Sequence, residues 1–421
     1  ITQKRVTDFM ADACPRGLVA AATDNGAGGL ASSVGELAQL TGGARIDLAL
    51  VPLKTPGLQP WEILVSESQE RMTLGVRPAY LDELLRIATL HEVEVTVLGT
   101  FDTAGSFRAC HGPLAVCELE LEFLHHGWPR LHLEATVSVP PLRAWVTPTE
   151  RASESVGRIL LELLRAPNVS SRERVVRRYD HEVQARTVVK PYQGRAPQDA
   201  AVLRVGRTDD DASGLAVASG ICPQYGDLDP YEASACAFDE AIRGLVAVGV
   251  HLPFGERVGD FVCACDNFCV PNIRFDAVTN PDGREKLGKL VRMAEATFDV
   301  ATTYRVPLVS GKDSMKNDFV SGGRTISVPP TVLYTAVGKL RDSRTAVTAE
   351  VKADGDCVYL LEASAERASD RALGGAGLGA SELARLWRVP ELADRGVEHG
   401  GRHRNGATAG HEVVLHAVLA G

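Results

Sequence analysis

The stretch Thr23-Asp24-Asn25-Gly26-Ala27-Gly28-Gly29-Leu30-Ala31-Ser32-Ser33 carries the residue types of a phosphate and metal site. Its three glycines let the main chain take left-handed angles and approach a ligand with no Cβ in between. Free N–H groups at a helix start favour an anion such as phosphate. Asp24 repels bare phosphate, so it makes chemical sense when a divalent cation stands between them. Mg²⁺ takes one or two carboxylates together with phosphate oxygens. The same residues also suit a plain Gly-rich turn with Asp24 as a turn or cap residue, and both readings stand at this level.

Two further segments hold usable chemistry. Ser66-Glu67-Ser68-Gln69-Glu70-Arg71-Met72 is dense in hydrogen-bonding side chains and reads either as a solvated turn or as the rim of a pocket for a hydroxylated ligand. Ser310-Gly311-Lys312-Asp313-Ser314-Met315 offers a kit for phosphate and Mg²⁺, or else a charged turn. It is not a P-loop, because no glycine stands five residues before Gly311 and Asp313 replaces the Ser or Thr that should follow the lysine. Gly374-Gly375-Ala376-Gly377-Leu378-Gly379 lacks dinucleotide-loop spacing. Cys263, Cys265 and Cys269 have no second ligand pair for zinc and read as buried reduced thiols. His125, His126 and His132 read as surface and core packing. No convincing Ser/His/Asp or Cys/His set for nucleophilic catalysis is visible.

The elements that must position these residues can be read from periodicity. Leu18 to Ala22 reads as a short buried strand before the glycine turn, and Ser33 to Ala38 as the opening of a helix after it. Helices are predicted over Ile1–Ala13, Tyr80–His91, Glu150–Arg165, Ala233–Gly249 and Glu285–Tyr304. Strands are predicted over 44–51, 61–65, 73–76, 93–98, 114–121, 199–205, 259–265, 306–310 and 331–337, with turns at 99–105 and at His111-Gly112. The pattern is α+β with several antiparallel strands. Val139-Pro140-Pro141 to Pro148 reads as a connector, a third unit begins near Ala346, and His411 to Gly421 reads as an amphipathic helix.

At 421 residues, two or three domains are expected. A formal net charge of −9 argues against a nucleic-acid partner, which needs a clustered basic surface. No apolar run approaches the roughly 20 residues of a membrane span, and no secretory signal is visible. Nine cysteines over so long a chain do not suggest a disulfide framework, so a cytoplasmic protein is expected. Both ends look cut: residue 1 is not methionine, and the helix Ile1–Ala13 feeds straight into the glycine turn. The expectation is an internal piece of a longer polypeptide.

Six segments taken together resemble phosphoribosylformylglycinamidine synthase, the glutamine-using ligase of purine synthesis, within the aminoimidazole-ribonucleotide-synthetase superfamily. They are Thr23 to Leu30, Ser66 to Met72, Tyr179-Asp180-His181-Glu182-Val183-Gln184, Leu228-Asp229-Pro230-Tyr231, Asp266-Asn267-Phe268 and Ser310 to Met315, in the family's order. The resemblance implies tandem synthetase-like domains with mixed sheets packed against helices. Residues 1–138 would be the remainder of a first C-terminal-like α+β domain, 139–150 a linker, 151–345 a second nucleotide-binding domain, and 346–421 part of a second C-terminal-like domain. It implies ATP and Mg²⁺, with Asp24 and Asp313 for metal, Asp266 and Gly311 for ATP, and Glu67, Ser68, Gln69 and Ser314 for formylglycinamide ribonucleotide. The implied partners are a glutaminase domain or subunit supplying ammonia and a first ATP-binding domain, with no nucleic acid and no membrane. Two departures stand out: Lys312 replaces the metal-binding Asn of shorter forms, and Gly244 the metal-binding Asn of longer ones. Other expectations are another ATP-dependent member of the superfamily, such as selenophosphate synthetase or thiamine-phosphate kinase, and a non-catalytic nucleotide-holding scaffold.

Overall fold

The computed structural model describes residues 1–129, 131–138, 155–178, 181–182, 185–194, 196–205, 211–253 and 261–359, and the backbone of 413–415. Contacts divide the chain into two units, one spanning Ile1–Leu131 and the other His132–His416. Among the described residues no helix is long and apolar enough to cross a membrane.

The first unit runs α1 (Thr2–Ala13), β1 (Ala21–Asp24), α2 (Gly29–Ala38), β2 (Ala44–Asp47), α3 (Pro60–Val65), β3 (Met72–Gly75), α4 (Leu81–Leu90), β4 (Gly99–Phe101), β5 (Ser106–His111), β6 (Leu114–Glu120) and α5 (Leu121–His126). Four strands form a sheet in the order β4-β2-β5-β6, while β1 and β3 pair antiparallel as a separate ribbon. One core packs Leu30, Val34, Ile46, Leu48, Ile63 and Phe107 between α2, α3 and the sheet. A second packs Phe9 and Ala13 of α1 against Leu84 and Ile87 of α4.

Several expectations are corrected here. The buried strand expected at 18–22 is β1, three residues further on and exposed on alternate residues, although Leu18 itself is buried. The strand expected at 61–65 is the helix α3. Pro60 opens it, and Gln59 and Glu62 form a reciprocal cap in which the Gln59 N–H donates to Glu62 Oε2 at 2.7 Å. Residues 93–98 form no strand, and the expected turn at 99–105 contributes β4 instead, paired antiparallel with β2.

The second unit contains β7 (Leu133–Ala135), α6 (Val156–Arg165), α7 (Glu173–Val176), β8 (Thr187–Val189), β9 (Tyr192–Gln193), β10 (Ala196–Pro197), β11 (Ala201–Arg204), β12 (Gly214–Ile221), α8 (Pro230–Ala247), β13 (Val262–Cys269), α9 (Gly283–Tyr304), β14 (Leu308–Ser314), β15 (Asp318–Ser321), β16 (Arg324–Ser327), β17 (Thr331–Leu340) and β18 (Val413–Leu415). Its main sheet has the order β14-β13-β17-β12-β11-β8, parallel only between β13 and β14. Alanines 216, 218, 264 and 336 leave room for α8 and α9, which bury Phe238, Ile242, Leu245, Met293 and Val300 in the same core. Tyr334 stands at its centre, its hydroxyl bonded to Ser234 of α8 at 2.8 Å and to Thr297 of α9. The Leu228-Asp229-Pro230-Tyr231 motif is the start of α8: Asp229 accepts from the N–H groups of Tyr231 and Glu232, with Pro230 first in the helix.

Here too the structure departs from expectation. Gly311 to Ser314 does not follow a strand but lies inside β14. The amphipathic helix expected at 411–421 is replaced at 413–415 by β18, antiparallel to β7. Of the three clustered thiols only Cys263 is buried, whereas Cys265 and Cys269 are half-buried. The connector at 139–148, the first residues of the helix expected from Glu150, residues 179, 180, 183 and 184 of the Tyr179 segment, the Gly374 segment and most of the expected third unit lie outside the described residues.

Candidate functional site

In the first unit the glycine turn and the Ser66–Arg71 loop are built as one structure. Strand β1 ends at Asp24, which sits opposite Met72 in the ladder, so the acid lies beside the exit of the loop. Asn25 is buried; its N–H donates to Arg71 O at 3.1 Å and its side-chain oxygen accepts from Thr73 Oγ1 at 2.7 Å. Thr73 in turn bonds Ser33 Oγ of α2 at 2.9 Å. This polar chain ties β1, β3 and α2 together beneath the turn.

Gly29 is the point of closest approach. Its φ is +57°, and a Cβ there would lie 2.3 Å from Ser66 O and 2.9 Å from the Val65 carbonyl carbon. Only glycine permits both the angle and the contact. Helix α2 starts at this point with Gly28 as its N-cap, without a side-chain cap and with no acid in its first turn. Asp24, Glu67, Ser68 and Gln69 are all exposed, and the Asp24 carboxylate leans toward Gly26, where a Cβ would stand 3.8 Å away. The structure therefore brings Asp24 and the Glu67–Gln69 segment together.

In the second unit Asp266 of β13 stands opposite Gly311 of the parallel strand β14. Its carboxylate occupies the space over that glycine, so a Cβ at 311 would lie 2.4 Å from Asp266 Oδ1. Asp313, two residues along β14, shares this face. Partial burial pushes the Asp266 carboxyl above its ordinary range, and the charge of Asp313 adds to that. Asp266 also pairs in register with Tyr334, which places the acid pair on the helix-covered face. Lys312 and Ser314 point to the opposite face. The structure thus groups Asp266, Gly311 and Asp313 and separates Ser314 from them, except round the end of β14, the edge strand of the sheet.

The family described as "AIR synthase related protein, C-terminal domain" matches residues 2–109. The phosphoribosylformylglycinamidine synthase subunit PurL of Ignicoccus hospitalis is 32% identical over 403 residues, which cover 93% of this chain and 49% of that protein. The same subunit from Thermomicrobium roseum is 33% identical over 365 residues, 85% of this chain and 46% of that one. The chain is a homologue of PurL. It spans about half the length of these relatives. Among solved structures, Thermotoga maritima PurL complexed with AMPPCP has 26% identity and a TM-score of 0.58, covering 82% of this chain and 52% of that one. Thermotoga maritima PurL complexed with FGAR has 25% identity and a TM-score of 0.58, covering 83% and 49%.

The PurL relationship sharpens two features of this chain. Gly244 of α8 is packed tightly, since a Cβ would lie 2.8 Å from Ala218 Cβ and 2.9 Å from Asp199 O, so no asparagine side chain fits there. Lys312 is exposed and by strand alternation stands on the face away from the acid pair. Arg71 was not singled out from the sequence, although it stands inside a quoted motif. Its guanidinium donates from Nε to Ser68 O at 3.0 Å and from Nη2 to Ser66 O.

Proposed function

We propose that this chain supplies a ribonucleotide-binding surface and a nucleotide-phosphate surface to an ATP-dependent carbon–nitrogen ligase. The ligase converts formylglycinamide ribonucleotide to the formylglycinamidine ribonucleotide, with ammonia from glutamine delivered by a glutaminase domain or subunit. One observation carries the reading: the Asp24 turn is seated directly on the Ser66–Arg71 loop through Gly29, in a chain homologous to PurL over most of its length.

In this reading Glu67, Ser68 and Gln69 hold the ribonucleotide, while Asp266 and the main chain of Gly311 contact ATP. Asp24 and Asp313 offer hard oxygen donors, one or two per ion, as Mg²⁺ prefers. The Asp266 carboxylate lying over Gly311, with the like-charged Asp313 beside it, fits a cation. Bound Mg²⁺ would supply neutralisation of phosphate charge. In the reaction the substrate amide oxygen takes the terminal phosphoryl group of ATP, ammonia adds to the amide carbon, and phosphate departs to leave the amidine. Such chemistry depends on positioning and charge compensation rather than on a nucleophilic side chain. Ser314, which the same reading assigns to the ribonucleotide, lies on the opposite face of the edge strand β14 from Asp266 and Asp313.

A second reading, a nucleotide-holding unit without turnover, is favoured by the closed packing at Gly244 and by Lys312. Titration calorimetry of the purified chain with formylglycinamide ribonucleotide and with Mg²⁺ and a non-hydrolysable ATP analogue tests the binding. An assay with ATP, Mg²⁺, substrate and ammonium chloride tests the chemistry. Binding without turnover is expected from the chain alone; efficient amidine formation would overturn the claim that it needs further domains, and failure to bind the ribonucleotide would overturn the assignment.

A further inference from the structure

Glu67, Ser68 and Gln69 are exposed loop side chains, yet a loop that binds a ribonucleotide gains affinity when it is ordered beforehand. Something must hold this one. Its carbonyl oxygens at Ser66 and Ser68, on either side of Glu67, turn inward to a single guanidinium, that of Arg71. The main-chain oxygen of Arg71 accepts from Asn25, at the foot of the glycine turn. Ser66 O, one of the two carbonyls it holds, is also the atom against which Gly29 is packed. Glu70 completes the curl with a left-handed φ of +61°. Arg71 is half-buried, and its position joins three things: the loop, the turn and β3.

We infer that Arg71 is a positioning residue, clamping the Ser66 and Ser68 carbonyls so that Glu67, Ser68 and Gln69 are presented to the substrate beside Asp24. The inference rests on the ribonucleotide-binding reading above. The planar fork matters, because two carbonyls at different angles are held by two N–H groups of one rigid plane, which an ammonium cannot reproduce.

The experiment compares wild type, Arg71→Ala and Arg71→Lys in the full chain. Amide hydrogen exchange across residues 66–71 is measured without ligand, and ribonucleotide and ATP-analogue affinities by calorimetry. Arg71→Ala is expected to speed exchange in the loop and weaken ribonucleotide binding about ten-fold or more, given the strength of charge-assisted bonds, while ATP-analogue affinity stays unchanged. Millimolar ethylguanidinium is expected to restore part of the loss. Arg71→Lys, which keeps stem and charge, is expected to recover little, and it decides the matter alone if Arg71→Ala does not fold. Unchanged exchange in the loop, unchanged ribonucleotide affinity, or full recovery by lysine would overturn the inference. If wild type binds no ribonucleotide, the functional reading fails, whereas the exchange data still judge whether Arg71 holds the loop.

Discussion

Gly29→Ala is the most direct test of how the glycine turn is seated, because the structure supplies its own controls. At Gly29 an added methyl meets two penalties: the φ of +57°, and contact at 2.3 Å with Ser66 O and 2.9 Å with the Val65 carbonyl carbon. Gly17 has a φ of +71° with nothing within 4 Å, so Gly17→Ala isolates the backbone term, about 1–2 kcal/mol. Gly26 has neither problem, its nearest atom being Asp24 Oδ2 at 3.8 Å, and Gly26→Ala should be neutral or gain up to about 1 kcal/mol through the unfolded chain. The atoms opposing Gly29 are main chain, so the methyl must displace the loop; overpacking of this kind adds about 1–3 kcal/mol, for a total of about 2–5 kcal/mol. Urea unfolding of the three variants measures these costs, and calorimetry should show weakened ribonucleotide binding in Gly29→Ala alone. If Gly29→Ala costs no more than Gly17→Ala, the turn does not rest on Ser66 and the shared site loses its physical basis.

Asp266, whose carboxyl is raised by burial and by Asp313, keeps its proton to higher pH when folded than when unfolded. Folding stability is therefore lost as pH rises from the ordinary 3.8 through the raised value, so Asp266→Asn should melt higher than wild type at pH 7.5, with the gain shrinking toward pH 4; a constant difference would contradict this. Tyr334→Phe removes the hydroxyl that joins Ser234 and Thr297 in the core, and should cost about 1–2 kcal/mol and lower the melting temperature of the second unit by a few degrees in calorimetric scans. Cys222 is held low by its bond with Cys236 and by the Tyr225 N–H, whereas the same bond and burial push Cys236 up. Of these two thiols, iodoacetamide at pH 8 should label Cys222 before Cys236 in peptide mass spectra, and the reverse order would refute the pairing.

Helices α1, α4, α8 and α9 were legible because apolar residues recur along them at helical spacing, although α8 starts at Pro230, capped by Asp229, three residues before the expected Ala233. Helix α3 was not, since a five-residue apolar run does not choose between helix and strand; the choice is made by Gln59, Pro60 and Glu62 just outside and within it. Strand β14 hid its second half for the opposite reason. Gly311 to Ser314 shows no apolar alternation because the strand is an exposed edge, held by its ladder to β13 rather than by burial. In the site, Asp24 and Ser66–Met72 could be chosen from residue type, but not the contact between them, which depends on a register of β1 with β3 that no local pattern encodes. Arg71 was invisible for a related reason: a lone arginine in a polar run looks solvated until its side chain is seen to turn back on its own loop.

The charge arrangement of the second unit follows from which face each residue takes. Because β14 alternates, Gly311 and Asp313 share the face of Asp266, while Lys312 is carried to the other side. Gly244 adds no ligand, since the space its side chain would need is filled by Ala218 and Asp199. What remains is a pair of carboxylates whose mutual repulsion can be relieved in two ways, by a proton on Asp266 or by a cation between them. On the proposed reading these compete, so divalent-ion affinity in this unit should fall with decreasing pH through the raised range of Asp266. Asp313→Asn should shift that range back toward the ordinary carboxylate value while weakening the ion, and calorimetric titrations of Mg²⁺ at several pH values measure both. A divalent affinity independent of pH across that range, in wild type and Asp313→Asn alike, would mean that the two acids do not act as one site.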